Sequence, residues 1–97
     1  MDIYEAAGIV VGFEDAEDET DEIRALQALV NSGTWGLEGS VGRSMMNAIE
    51  AGYVALGHER ARDYWGNTIP SRHDIEPGTK GSIEFVNEHS PFGVLED

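Results

Sequence analysis

The 97-residue chain contains no cysteine, so disulfides, thiolate metal centres and cysteine nucleophiles are excluded. Positive charge is scarce, with six Lys and Arg against nineteen Asp and Glu and a formal net charge of -13. A surface this negative repels phosphate backbones and anionic lipid headgroups, and direct nucleic acid binding is not expected. Apolar runs are too short to span a bilayer, and Met1-Asp2 with Glu5 has none of the basic character that opens a secretion signal, so no membrane insertion is expected. The histidines His58, His73 and His89 form no i, i+4 pair, which points away from a zinc site. No Gly-x-Ser-x-Gly elbow is present, and Gly39-Ser40-Val41-Gly42 misses that spacing. With no catalytic constellation and no cofactor motif, a noncatalytic protein is the expectation.

What the chain does have is concentrated acidity. Glu14, Asp15, Glu17, Asp18, Glu19, Asp21 and Glu22 place seven carboxylates in nine residues. Residues 1–22 hold nine acids and no base, while residues 23–97 hold ten acids and all six bases. Such localisation predicts a discrete acidic patch rather than evenly spread solvation. Asp15, Glu17 and Glu19 alternate as calcium-loop ligands do. The sixth position of such a loop would be Thr20 instead of Gly and the twelfth Leu26 instead of Glu, so a solvated acidic loop and helix start is the better reading.

Local signals predict a mainly α protein, a small bundle of three to four short helices with an extended, turn-rich segment in the C-terminal half. Residues 1–57 read as the acidic helical bundle, and residues 58–97 as turns plus a short last helix packing on it, within one domain overall. Asp2 with Glu5 resembles a capping box ahead of an apolar stripe of Ile3, Ala6, Ala7, Val10 and Val11, closed by Gly12. Thr20 or Asp18 caps a second helix with Ile23, Leu26, Leu29 and Val30 as its stripe, ended by Asn31-Ser32-Gly33. Trp35 and Leu37 plug the gap between helices. Ser40 reads as the N-cap of a third helix carrying Val41, Met45, Ala48 and Ile49 and ending at Gly52. Gly66-Asn67 and Glu76-Pro77-Gly78-Thr79 are turn chemistry, Pro70 biases Ile69 towards extended backbone, and Ser82 caps a final helix to about His89, with Ile83 and Val86 as its apolar positions.

The string from Gln27 to Arg43, with Leu29, Gly33, Trp35, Leu37, Gly39, Ser40 and Gly42, closing in Ile49-Glu50-Ala51-Gly52, resembles a group of small uncharacterised bacteriophage proteins. Tyr64 to Arg72 and Pro77 to Ser82 are similar to a segment of small reading frames in phages of actinobacteria. The resemblance covers about half the chain and brings no catalytic role. It implies a small accessory phage protein made in the host cytoplasm. Gly36 and the acidic run depart from the pattern.

Three functions follow as expectations. The leading one is a protein that binds and modulates a host protein with a basic surface. Its contact candidates are the acidic run, Glu14 to Glu22, and the aromatic turn of Tyr64 and Trp65 with Arg62 and Arg72. The second is an acidic DNA mimic that inhibits a nucleic-acid-binding or defence protein. The third is a small-ligand or nucleotide-sequestering protein that uses Gly39 to Arg43, although Arg43 is more simply paired to a carboxylate such as Glu38. The aromatics Trp35, Tyr64, Trp65 and Phe85 otherwise read as core. Incomplete cover over Met45, Met46 and Ile49 leaves room for a homodimer.

Overall fold

A computed structural model describes residues 1–12, 18–36 and 39–96. Among them are four helices and one small hairpin: α1 (Ile3–Val11), α2 (Glu19–Asn31), α3 (Gly39–Ala51), β1 (Ala61–Arg62), β2 (Thr68–Ile69) and α4 (Ile83–His89). The mainly α expectation therefore holds, with the extended segment in the C-terminal half.

Each helix start whose cap is described satisfies an orphan amide with a side-chain oxygen. Asp2 accepts from the Glu5 amide, Asp18 from the Asp21 amide, and Ser82 from the Phe85 amide. Thr20 donates its hydroxyl to Asp18 and supports that cap. The Thr20 hydroxyl and then the Asp21 amide hold the Asp18 carboxyl below its ordinary range, because both bonds favour the ionised form. Ser40 does not cap α3. The helix already begins at Gly39, which leaves Ser40 inside the first turn with its carbonyl accepting from the Ser44 hydroxyl.

Helix α2 is the central element, packed by α1 on one side and α3 on another, and it buries Ile23, Ala25, Gln27, Leu29 and Val30. Burial on more than one face is why its core extends beyond the stripe read from the sequence, and Leu26 is only half-buried. Helix α1 meets α2 over a narrow strip. Ala6 and Ile9 are buried, whereas Ile3 and Val11, both expected in the stripe, are each 37% exposed. The α3 stripe of Val41, Met45, Ala48 and Ile49 is buried as expected. Met45 and Ile49, expected on an incompletely covered face, are thus covered within the chain, and Met46 alone of the three is partly open.

Two glycines allow the C-terminal half to lie close against the bundle. At Gly52 φ is +83°, and an added Cβ would come within 2.7 Å of His89 Cβ and 3.0 Å of Phe85 Cε2, so α4 crosses directly over the end of α3. At Gly57 a Cβ would sit 2.9 Å from the Val30 carbonyl oxygen, which brings the segment after α3 against the end of α2. The first half of that segment, Val54, Ala55 and Leu56, is buried.

Gln27 locks this seam. It is 1% exposed, and its side-chain amide pairs with the backbone of Ala55 in both directions: Nε2 donates to the Ala55 carbonyl at 3.0 Å, and Oε1 accepts from the Ala55 amide at 2.8 Å. Nε2 also reaches Asn31 Oδ1 at 3.0 Å. A buried segment outside any helix or sheet must satisfy its backbone groups elsewhere: Gln27 does so for Ala55, while the Val54 and Leu56 amides donate to the Ala48 and Gly81 carbonyls.

Candidate functional site

The predicted contact residues separate into three groups. Glu14, Asp15 and Glu17 lie outside the described residues, as does Glu38, the carboxylate expected to pair with Arg43, and Leu37. Within the described part of the acidic run, Asp18 caps α2 and Asp21 accepts from Arg24 at 3.2 Å, while Glu19 and Glu22 are exposed in the first turn. Carboxylates there also meet the positive end of the helix dipole, so part of the run has a local structural use.

Arg72 forms the second group. It was expected beside the aromatic turn as a surface contact, but its side chain is only 7% exposed. Nε donates to the Leu56 carbonyl at 2.8 Å, Nη1 to Glu96 Oε1 at 2.9 Å, and Nη2 to Glu96 Oε2 at 2.8 Å and Asn31 Oδ1 at 3.2 Å. This bidentate pair ties the C-terminal tail to α2 and to the segment after α3. The Arg72 guanidinium draws the Glu96 carboxyl down to about 2, against the opposing effect of partial burial. His58 Nε2 stands 3.5 Å from the same carboxylate. Arg60 is similarly committed, bidentate to Asp74 at 2.8 and 2.9 Å, and with the Ser71 amide it holds Asp74 well below the usual carboxylate range. The Ser71 hydroxyl donates to Asp74 and accepts from the His73 backbone amide, so the Ser-x-His-Asp string forms a clasped turn.

The third group is the β1–β2 hairpin. Asp63 organises its loop: Oδ1 accepts from the amides of Trp65 at 2.9 Å and Asn67 at 2.8 Å, and Oδ2 accepts from the Asn67 side chain at 3.3 Å. The Asp63 amide in turn donates to the Asn67 carbonyl, and the Gly66 amide to the Asp63 carbonyl. Arg62 Nη1 donates to the Gly66 carbonyl at 3.1 Å, which gives this arginine a structural task within the loop. The result is a fixed loop that presents aromatic rings outward. Tyr64 is 63% and Trp65 67% exposed, with ring centroids 5.4 Å apart at 76°. The sequence reads both most simply as core, and both are outside it. Trp35 is core at 3%, and Phe85 is half-buried, stacked on His89 at 3.9 Å.

Tyr64 and Trp65 border a cleft of about 210 Å³. Trp35, Met46 and Ile69 give it apolar walls, Gly39 and Gly42 also line it, and Arg43 and Asp63 are its charged residues. Arg43 Nη1 and Trp65 Cη2 both reach over Gly39, 3.6 and 3.8 Å from where a Cβ would stand. The structure therefore joins two stretches that the sequence held apart, the Gly39–Arg43 entry of α3 and the aromatic turn, at one place. Arg62 and Arg72 do not line it. Among the described residues no group of three or more His, Asp and Glu is placed to hold a metal ion, and no helix is long and apolar enough to cross a membrane. Comparison with family models, with curated proteins and with solved structures gives no match.

Proposed function

We propose that this chain is a noncatalytic bacteriophage accessory protein that binds a host protein in the host cytoplasm and alters its activity or assembly, with the Tyr64–Trp65 hairpin as the contact surface. One observation carries the reading: two adjacent aromatic rings stand mostly in water on a loop whose backbone is already fixed by Asp63. Exposed Trp and Tyr beside an apolar cleft are the side chains that most often anchor protein interfaces. A loop held in place before binding loses little conformational freedom when it docks. The acidic run supplies steering: a basic partner surface is drawn in faster by localised negative charge, and the aromatic contact then sets how long it stays.

The test is capture from host lysate with three baits: the wild-type chain, Tyr64→Ala with Trp65→Ala, and Asp/Glu exchanged for Asn/Gln across residues 14–22. A specific protein retained by the wild-type bait and lost from the aromatic variant is the expected outcome, with slower association on the charge-exchanged bait. Retention abolished by charge exchange alone, and competed by DNA, moves the function to phosphate mimicry.

A further inference from the structure

We infer that the cleft between α3 and the hairpin takes a segment of the partner protein in which one large apolar side chain is followed directly by a carboxylate, the apolar group entering between Trp65 and Met46 and the carboxylate meeting Arg43. The inference rests on the reading of the hairpin as the contact surface and specifies its chemistry. Size limits the occupant first. At about 210 Å³ the cleft is smaller than the roughly 300–1,000 Å³ typical of cofactor and metabolite sites, and it suits a single anchoring side chain. Its walls of Trp35, Met46 and Ile69 favour an apolar one.

Charge then selects the neighbour. In this chain of net charge -13, Arg24 pairs with Asp21, Arg60 with Asp74 and Arg72 with Glu96, and Arg62 donates to the Gly66 carbonyl. Arg43, exposed at the cleft, is the arginine with no hydrogen bond or ion pair among the described residues. The other charged group there, Asp63, already accepts from three N–H groups of its own loop. The polar recognition capacity left at the cleft is thus a guanidinium, whose planar fork matches a carboxylate. The acidic run draws a basic surface at long range, whereas this contact reads one acidic residue at short range, and the two act on different parts of the partner.

Two blocked peptides serve as probes, acetyl-Gly-Phe-Asp-Gly-amide and its Asn counterpart, titrated into the ¹⁵N-labelled full chain at physiological ionic strength, which screens the net charge. The indole N–H of Trp65 and the side-chain Nε–H of Arg43 report binding. The expected result is saturable shifts at both groups with the Asp peptide, binding about tenfold tighter than the Asn peptide, the factor that one charge-assisted contact supplies. Arg43→Gln removes that difference while its spectrum shows the fold intact. Equal binding of the two peptides by the wild-type chain, or no shift with either, overturns the inference. Lysate capture with the aromatic variant separately decides whether the hairpin is the contact surface, so the two failures are distinguishable.

Discussion

Arg72 and Arg43 carry the same group in the same acidic chain, yet every nitrogen of one guanidinium donates to the protein's own oxygens and the other has no partner among the described residues. Around Arg72, three distant segments are pulled together: α2 through Asn31, the stretch after α3 through the Leu56 carbonyl, and the tail through Glu96. Around Arg43, an open cleft meets two exposed aromatic rings. A saturated site spends its polar capacity on holding the fold, and an unsaturated one keeps it for something outside. Substitutions on the first should therefore move stability, and those on the second should move binding.

Arg72→Ala is the harshest test of the saturated side. Removing a largely buried guanidinium strips the Leu56 carbonyl of its donor and leaves the Glu96 carboxylate with Asn31 and His58 alone, and a loss of about 2–4 kcal/mol is expected in urea denaturation. Gln27→Leu comes next. It fits the volume but strands both polar groups of Ala55, and an expected loss of about 2–4 kcal/mol would lower Tm by roughly 10–25 °C.

Acid sharpens the comparison further. The Glu96 carboxyl titrates near 2 in the folded chain against an ordinary value of 4.5, so its contribution is complete above the unfolded value and is lost as pH falls towards 2. Urea midpoints should fall between about pH 5 and about pH 3, and Glu96→Gln should make that fall shallower. A residual slope is expected, because Asp74 and Asp18 are shifted in the same direction.

Asp63→Ala reaches the border between the two regions. It frees the Trp65 and Asn67 amides, and a stability change of about 1 kcal/mol is expected together with weaker partner binding, because the rings lose their fixed presentation.

The caps at Asp2 and Ser82, the helix end at Gly52 and the turn at Gly78 are legible in the sequence because each is settled by chemistry within a few residues, and at α2 the sequence narrows the cap to Thr20 or Asp18, of which Asp18 takes it. The ties that assemble the fold are not. Gln27 and Ala55 are 28 residues apart and Arg72 and Glu96 are 24 apart, and no local periodicity encodes either pairing. Gln27 left one faint trace, as a polar residue set among Leu26, Ala28, Leu29 and Val30.

The candidate site was half visible. Tyr64 and Trp65 stood out as interface-type residues, but their exposure depends on Asp63 closing the loop beneath them, and a Gly-Asn turn is compatible with rings facing either way. Nothing local in the sequence sets Arg43 apart; what distinguishes it is that Arg60, Arg62 and Arg72 are each engaged elsewhere by residues distant in the chain or in their own loop.

The most direct measurement is the affinity of the purified, captured host protein for the wild-type chain and for Trp65→Ala, taken beside the urea midpoints of both. The expected result is binding weakened at least about tenfold with stability changed by less than about 0.5 kcal/mol. Unchanged affinity in a variant that folds normally would contradict the assignment of the contact to the hairpin.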